Sequence, residues 1–480
     1  MPLLPPTNPL DSPEILRRIS YFTTNNDATV CARVCKAWFD HFASAIWHTL
    51  DFDAHKRLDK IDPKTFARYG QHIRVVKNVK KKNHILVLIG SNARNLRELS
   101  ITTWPSEFYA YVSDLLRRVN VSIERLKLSQ PSGIPTYFAV DSLFYPASSR
   151  AASKLRSLEI HGLTMTRDAF SILLRECPSL TILDIKGSTL DPLPVHNKSY
   201  EDLYQHYGVT NLTAGFDQVF NVDGPDDVPS LLVHFPSLRT WEMSGITWHL
   251  RTPIGKIRDE VTRHCRFLRE LRTRSPTPVT SDMIAQAFED LEVIGVENGY
   301  LSAEIIAASL NHQGTLEAFV TYYDENILNR SGMAPMVENR LETAWIVQSI
   351  PRLCSQLKRF ELPLYEMNMD DIENAKWGCK HLEVLYIRIK DLNTKEKVDR
   401  AVQLWKEGRP ATIIGKTRIK EEETSASSSP QSGIDIPLED RSVEARVARH
   451  LLKFKYLQRV WLGWKVHEVH QDYVRRHGVF

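Results

Sequence analysis

One six-residue phrase, L-x-x-ϕ-x-ϕ with ϕ mostly apolar, returns along most of this 480-residue chain. It reads "LRELSI" from Leu96, "IERLKL" from Ile123, "LRSLEI" from Leu155, "LTILDI" from Leu180, "LRTWEM" from Leu238 and "LRELRT" from Leu268. It continues as "LEVIGV" from Leu291, "LEAFVT" from Leu316, "LKRFEL" from Leu357, "LEVLYI" from Leu382 and "LQRVWL" from Leu457, with a weaker copy, "IRVVKN", at Ile73. From Ile73 the first positions are spaced 23, 27, 32, 25, 58, 30, 23, 25, 41, 25 and 75 residues apart. Most intervals lie near the 25–30 range, the 58 matches two units, and the 41 and 75 imply insertions or unreadable copies.

In x-ϕ-x-ϕ-x the side chains alternate, so the ϕ positions enter a core and the x positions face out. A single strand of this kind cannot bury its apolar face, but a stack of parallel copies can. Between phrases come helical patterns such as "MTRDAFSILLREC" (165–177), in which Phe170, Leu173 and Leu174 form one stripe. The period and pattern resemble those of leucine-rich repeats. The expected architecture is an α/β repeat solenoid, a leucine-rich repeat horseshoe with a parallel sheet on its concave side.

Four of the six cysteines, Cys177, Cys265, Cys354 and Cys379, stand three residues before the first leucine of a phrase. Metal ligands must converge in space, whereas residues tied to one phase of a repeat are spread along the molecule. These thiols are therefore read as small buried groups packed under a turn. Their placement is also similar to the cysteine-containing repeats of F-box proteins, although that family's second cysteine after the strand is missing.

The N-terminal stretch "SPEILRRISYF" (12–22) reads as a first helix. Ser12 or Asp11 caps it, Pro13 suits the first turn, Glu14 complements the N-terminal dipole, and Ile15, Leu16 and Ile19 give it a buried side. "TTNND" (23–27) turns the chain and offers the next cap. On one following helix Val30, Val34 and Trp38 recur at i, i+4 and i+8, Cys31 and Cys35 lie beside them, and Phe42 and Ile46 extend the stripe. The cysteines lack metal-ligand spacing and read as members of that apolar face.

Pro13, Glu14, Ile15, Leu16, then Val34, Cys35, Lys36, Trp38 and Trp47 follow in the order of an F-box, which residues 8–50 resemble. The resemblance implies a small helical hook that binds the Skp adaptor of cullin–RING ubiquitin ligases. Carried over, Pro13, Ile15, Leu16, Val34, Cys35 and Trp38 would build or line the adaptor contact. Ser12, Thr23 and Ala28 depart from the family's leucine-like positions, each removing apolar area worth about 1–2 kcal/mol when buried. The chain thus divides into a small all-α F-box domain at 1–52 and a solenoid at 53–480.

Basic and acidic side chains nearly balance, 62 against 58, so no strong nucleic-acid or anionic-membrane footprint is expected. The run "KNVKKKNH" (77–84) reads as a solvated loop or helix end. The opening "MPLLPPTNPLDSPE" lacks the apolar core of a signal peptide, and no window has the length of apolar residues that a membrane span needs. The expectation is an intracellular protein, cytoplasmic or nuclear, with reduced thiols. Residues 417–440, rich in Ser, Glu and Pro, are expected to be a disordered insertion. "NVDGPDDVPS" (221–230) reads as a turn-rich loop, and the whole interval 187–234 yields no readable unit.

No P-loop, dinucleotide glycine pattern or G-x-S-x-G elbow occurs, and "HEVH" (467–470) is one residue short of the zinc protease motif. No catalytic residue, cofactor or metal is expected. The x between the two ϕ positions forms a central outward file: Ser100, Lys127, Glu159, Asp184, Glu242, Arg272, Gly295, Val320, Glu361, Tyr386 and Trp461. Its last members are aromatic and flanked by Arg388 and Arg459, a combination typical of interface anchors. Tyr386, Arg388, Arg459 and Trp461 are thus expected to bind a protein partner. With the family resemblance, this implies a substrate-recruiting ligase subunit that joins an unidentified target to the Skp adaptor and its cullin. The alternative is an interaction scaffold whose degenerate F-box has lost the adaptor.

Overall fold

Every one of the phrases read from the sequence contains a strand, and within each compact unit of the chain these strands pair in parallel with their neighbours. The computed structural model describes residues 10, 12–102, 109–119, 122–130, 136–137, 154–191, 204–220, 230–244, 253–274, 278–297, 301–322, 345–409 and 441–463. The chain divides into two compact units, Met1–Arg239 with His264–Phe267, and Thr240–Arg263 with Leu268–Phe480.

In the first unit seven parallel strands follow one another: Thr49–Asp51, Val75–Val79, Glu98–Ile101, Arg125–Ser129, Ser157–His161, Ile182–Asp184 and Asn211–Ala214. Their register aligns Leu50, Val76, Leu99, Leu126, Leu158, Leu183 and Leu212 in one buried row. Seven more make up the second unit: Thr240–Ser244, Glu270–Arg274, Val293–Glu297, Ala318–Tyr322, Arg359–Met367, Val384–Ile389 and Arg459–Gly463. There the row runs Trp241, Leu271, Ile294, Phe319, Phe360, Leu385 and Val460. Burying one such side chain stabilises by roughly 1.5–3 kcal/mol, so each row is a principal source of cohesion.

The phrase start also carries a backbone ladder. The carbonyl of its second residue accepts two amides from the next unit: Arg97 O from Glu124 and Arg125, Glu124 O from Arg156 and Ser157, Glu292 O from Glu317 and Ala318. The same doubly accepting carbonyl recurs at Glu317 toward Lys358 and Arg359, and at Glu383 toward Gln458 and Arg459. Side chains at these positions alternate in charge, as in Arg97 with Glu124 at 3.7 Å and Lys358 with Glu317 at 2.6 Å.

Two strands of the large sheet escaped the sequence reading. Val209, Leu212 and Ala214, all buried, form the missing copy between Leu180 and Leu238. Its first position falls 29 residues after Leu180 and 29 before Leu238, so the 58-residue interval is two units. This copy is fastened by His206, whose Nε2 meets the Cys177 carbonyl at 2.9 Å while Nδ1 accepts from the Gly208 and Val209 amides. Gly208 is required there, since a Cβ would lie 2.7 Å from the Leu180 carbonyl oxygen. The other copy starts at Trp47 and forms the strand Thr49–Asp51, inside the interval assigned to the helical domain. The 41- and 75-residue intervals are single steps, because Ala318–Tyr322 pairs directly with Arg359–Met367, and Val384–Ile389 with Arg459–Gly463.

Helices fill most crossovers. Arg167–Glu176 matches the expected stripe, with Phe170, Leu173 and Leu174 buried and Thr166 Oγ1 accepting from the Ala169 amide at 3.1 Å. The first unit also holds a second sheet of three short parallel strands, Thr136–Tyr137, Leu163–Thr166 and Thr189–Asp191, which the sequence reading missed. Cys177, Cys265, Cys354 and Cys379 are buried, as their phase required. Burial pushes the thiols of Cys177, Cys354 and Cys379 up to about 12, so they stay protonated and unreactive. Among the described residues no helix is long and apolar enough to cross a membrane. Residues 417–440 and 467–470 lie outside the described residues.

Candidate functional site

Three short helices precede the first sheet: α1 (Pro13–Phe22), α2 (Asn25–Cys31) and α3 (Lys36–His48). Pro13 opens α1, and Ser12 Oγ donates to Glu14 Oε2 at 2.8 Å, which holds the Glu14 carboxyl below its ordinary range. Thr24 caps α2, its Oγ1 accepting from the Asp27 amide and donating to Asp27 Oδ2 at 2.7 Å. Leu16, Ala28 and Phe42 make a small core, against which Ile19, Cys31, Ala32, Trp38, Ala45 and Ile46 pack. Trp38 stacks on Phe42 with ring centroids 5.7 Å apart. At its far end α3 is anchored by Trp47, stacked on Tyr69 and edge-on to Phe66.

The expected single helix through the cysteines is broken. α2 ends at Cys31, where the Arg33 and Val34 amides donate to the carbonyls of Val30 and Cys31, and Cys35 is extended as the N-cap of α3. Val30, Val34 and Trp38 therefore do not share one stripe. Trp38 and Cys31 pack inward, while Val30 and Val34 are 65% and 62% exposed and Cys35 is exposed.

Of the six residues assigned to an adaptor contact, Leu16 is core and Trp38 half-buried, whereas Pro13, Ile15, Val34 and Cys35 reach solvent. Sequence reasoning missed Tyr21, Phe22 and Val30, which are also exposed; Phe22, at 89%, is the most exposed of these large apolar side chains. Isolated exposed apolar residues are ordinary, but Ile15, Tyr21, Phe22, Val30 and Val34 all belong to one three-helix element.

In the second unit, the register sets Tyr386 opposite Trp461 and Arg388 opposite Gly463. The Tyr386 and Trp461 rings lie 5.9 Å apart, and the Arg459 guanidinium sits 5.9 Å from the Trp461 ring. Arg388 pairs with Glu366 at 3.8 Å. The four residues are thus neighbours, as expected, but their exposure is not as expected. Tyr386 is only 4% exposed and Trp461 is half-buried, so the pair is a packed element of the sheet face rather than an open aromatic anchor. Glu361, the preceding member of that file, is wholly buried, with Oε1 on Arg359 Nε and Oε2 without a hydrogen bond.

The basic run at 77–84 straddles the start of the helix Lys82–Ser91 and is largely neutralised: Lys80 pairs with Asp53 at 2.5 Å and Lys81 with Asp59 at 2.6 Å. His84 also meets Asp59, at 2.7 Å, and stacks on Phe52; its pKa is lowered, chiefly by burial. Among the described residues one group, Glu159, His161 and Asp184 in the first unit, brings three potential metal donors together. No family model matches the chain, and no curated protein matches it.

Proposed function

We propose that the chain is the substrate-recognition subunit of a Skp–cullin–F-box ubiquitin ligase, with the three N-terminal helices as the adaptor-binding F-box and the stacked strands as a leucine-rich repeat solenoid that binds the target. The observation carrying this reading is a self-contained helical element, with its own small core, that leaves Ile15, Tyr21, Phe22, Val30 and Val34 open to solvent. Apolar side chains left exposed around a closed core suit a protein partner. The chain contributes no reaction of its own: tethering a target beside a charged ubiquitin carrier raises its effective concentration, and the transfer chemistry belongs to the other components of the ligase.

A second reading, an interaction scaffold without adaptor affinity, draws on Ala28, which is fully buried where the resemblance expects a larger residue. Co-purification with the Skp adaptor separates the two. Val30→Asp with Val34→Asp is the informative variant, because both positions are solvent-exposed, so stability should shift by no more than about 0.5 kcal/mol. Trp38→Ala would confound folding with binding, since Trp38 packs on Phe42. The ligase reading expects capture by the wild type and its loss in the double variant. No capture by the folded wild type would leave the scaffold.

A further inference from the structure

We infer that the first unit carries a divalent-cation site on its sheet face, formed by Glu159, His161 and Asp184 and suited to Zn2+. Register places Glu159 directly opposite Asp184 on the adjacent strand. His161 follows Glu159 by two residues, so both side chains leave the same face of the sheet. One donor atom from each of the three lies within 4.8 Å of the other two. All three residues are half-buried.

The imidazole already faces a carboxylate: His161 Nε2, buried at the atom, stands 3.0 Å from Asp184 Oδ2 without a hydrogen bond to it. On the other side Ser129, the register partner of His161, holds a second buried polar atom without a hydrogen bond, its Oγ. An unsatisfied buried polar atom typically costs about 1–3 kcal/mol, so an ion that takes the His161 Nε2 lone pair would stabilise this face. The Asp184 carboxylate is already oriented: its Oδ1 accepts from the Lys186 amide at 2.9 Å. Such an outer contact aims a ligand at a metal before it arrives.

Donor chemistry selects the ion. Calcium and magnesium demand six or more oxygen ligands, whereas one imidazole with two carboxylates suits a first-row ion that accepts four-coordination. Three protein ligands leave one position open, on the face that the proposed target would meet. Lys127 is the opposing element: its ammonium competes for Glu159 and weakens the site. The site does not depend on the helical hook, so it stands or falls apart from the ligase reading.

The test uses the full chain, stripped with chelator and dialysed against Zn2+, with Co2+ as a spectroscopic probe. Exposed histidines and the exposed Cys35 thiol can also take up zinc, so the readout is the difference between variants. His161→Gln and Asp184→Asn, the latter keeping an acceptor for the Lys186 amide, are each expected to bind one equivalent fewer than wild type. They should also lose the corresponding Co2+ absorption bands. Lys127→Met is expected to tighten the same site by roughly tenfold, the scale of one nearby charge at a half-exposed position. Equal stoichiometry in wild type and the two ligand variants, or no tightening in Lys127→Met, would overturn the assignment.

Discussion

The two sheet faces share one phrase and one register but not one surface. In the first unit the residues between the paired apolar positions, Ser100, Lys127, Glu159, Asp184 and Thr213, are all half-exposed. Their charges pair across strands, as Lys127 does with Glu159. In the second unit Glu242, Arg272, Val320 and Trp461 are likewise half-exposed, with Glu242 held by Arg274 at 2.5 Å, but Gly295, Glu361 and Tyr386 are buried. Repeat phase therefore decides which face a side chain leaves by. Whether that face meets water is decided elsewhere, and the two units decide it differently.

The sharpest way to break that contrast is to remove the cation from an ion pair on each face. Arg359→Ala strands the sealed Glu361 carboxylate, and losing the partner of a buried charge should cost about 3–5 kcal/mol of unfolding free energy. The measurement is urea denaturation followed by peptide-resolved hydrogen exchange, so that the two units are read separately. A loss below about 1 kcal/mol would place Glu361 in contact with water and erase the difference between the faces.

Acid offers the next largest effect. His450 is buried in the second unit between Trp377 and Phe454, at 5.0 and 5.3 Å between ring centroids, and neither of its nitrogens has a hydrogen-bond partner. Burial lowers its pKa from 6.5 to about 4, with Lys453 adding to the effect and Glu373 opposing it. The unfolded chain takes up a proton at this site before the folded one does. Stability is thus complete above pH 6.5 and falls as pH drops toward 4, by on the order of 3 kcal/mol from this site. His450→Phe should flatten that slope in the second unit while leaving exchange in the first unchanged; an unaltered slope would refute the account.

The smallest effect belongs to the open face. Lys127→Ala removes a pair whose side chains are 42% and 31% exposed, and such pairs contribute less than about 1 kcal/mol. A cost near that of Arg359→Ala would show the first face to be as sealed as the second.

Strand phase was legible because alternating leucines leave few alternatives, and the copies at Ile73 and beyond all fell in the sheet. The two missed copies open with Trp47 and Val209 in place of leucine, and Ala214 closes the latter with a single methyl. Their burial comes from neighbours rather than from their own composition. The break at Ala32–Val34 was invisible because Val30, Val34 and Trp38 keep helical spacing across it. Tyr386 shows the opposite limit: its place in the register was readable, its burial was not. The Glu159–Asp184 adjacency was implicit in the shared phase, but His161 gains meaning only once Ser129 and Asp184 are seen on either side.

The doubly accepting carbonyl found at most phrase starts has a consequence for how the molecule tolerates change. It fixes the second and third residues of one unit to the second residue of the last and asks nothing of the chain between them. A step of 23 residues and a step of 75 close on the same rung. Length can thus be added or trimmed between rungs while every rung keeps its place, so inserted segments are free to accumulate without the scaffold being rebuilt.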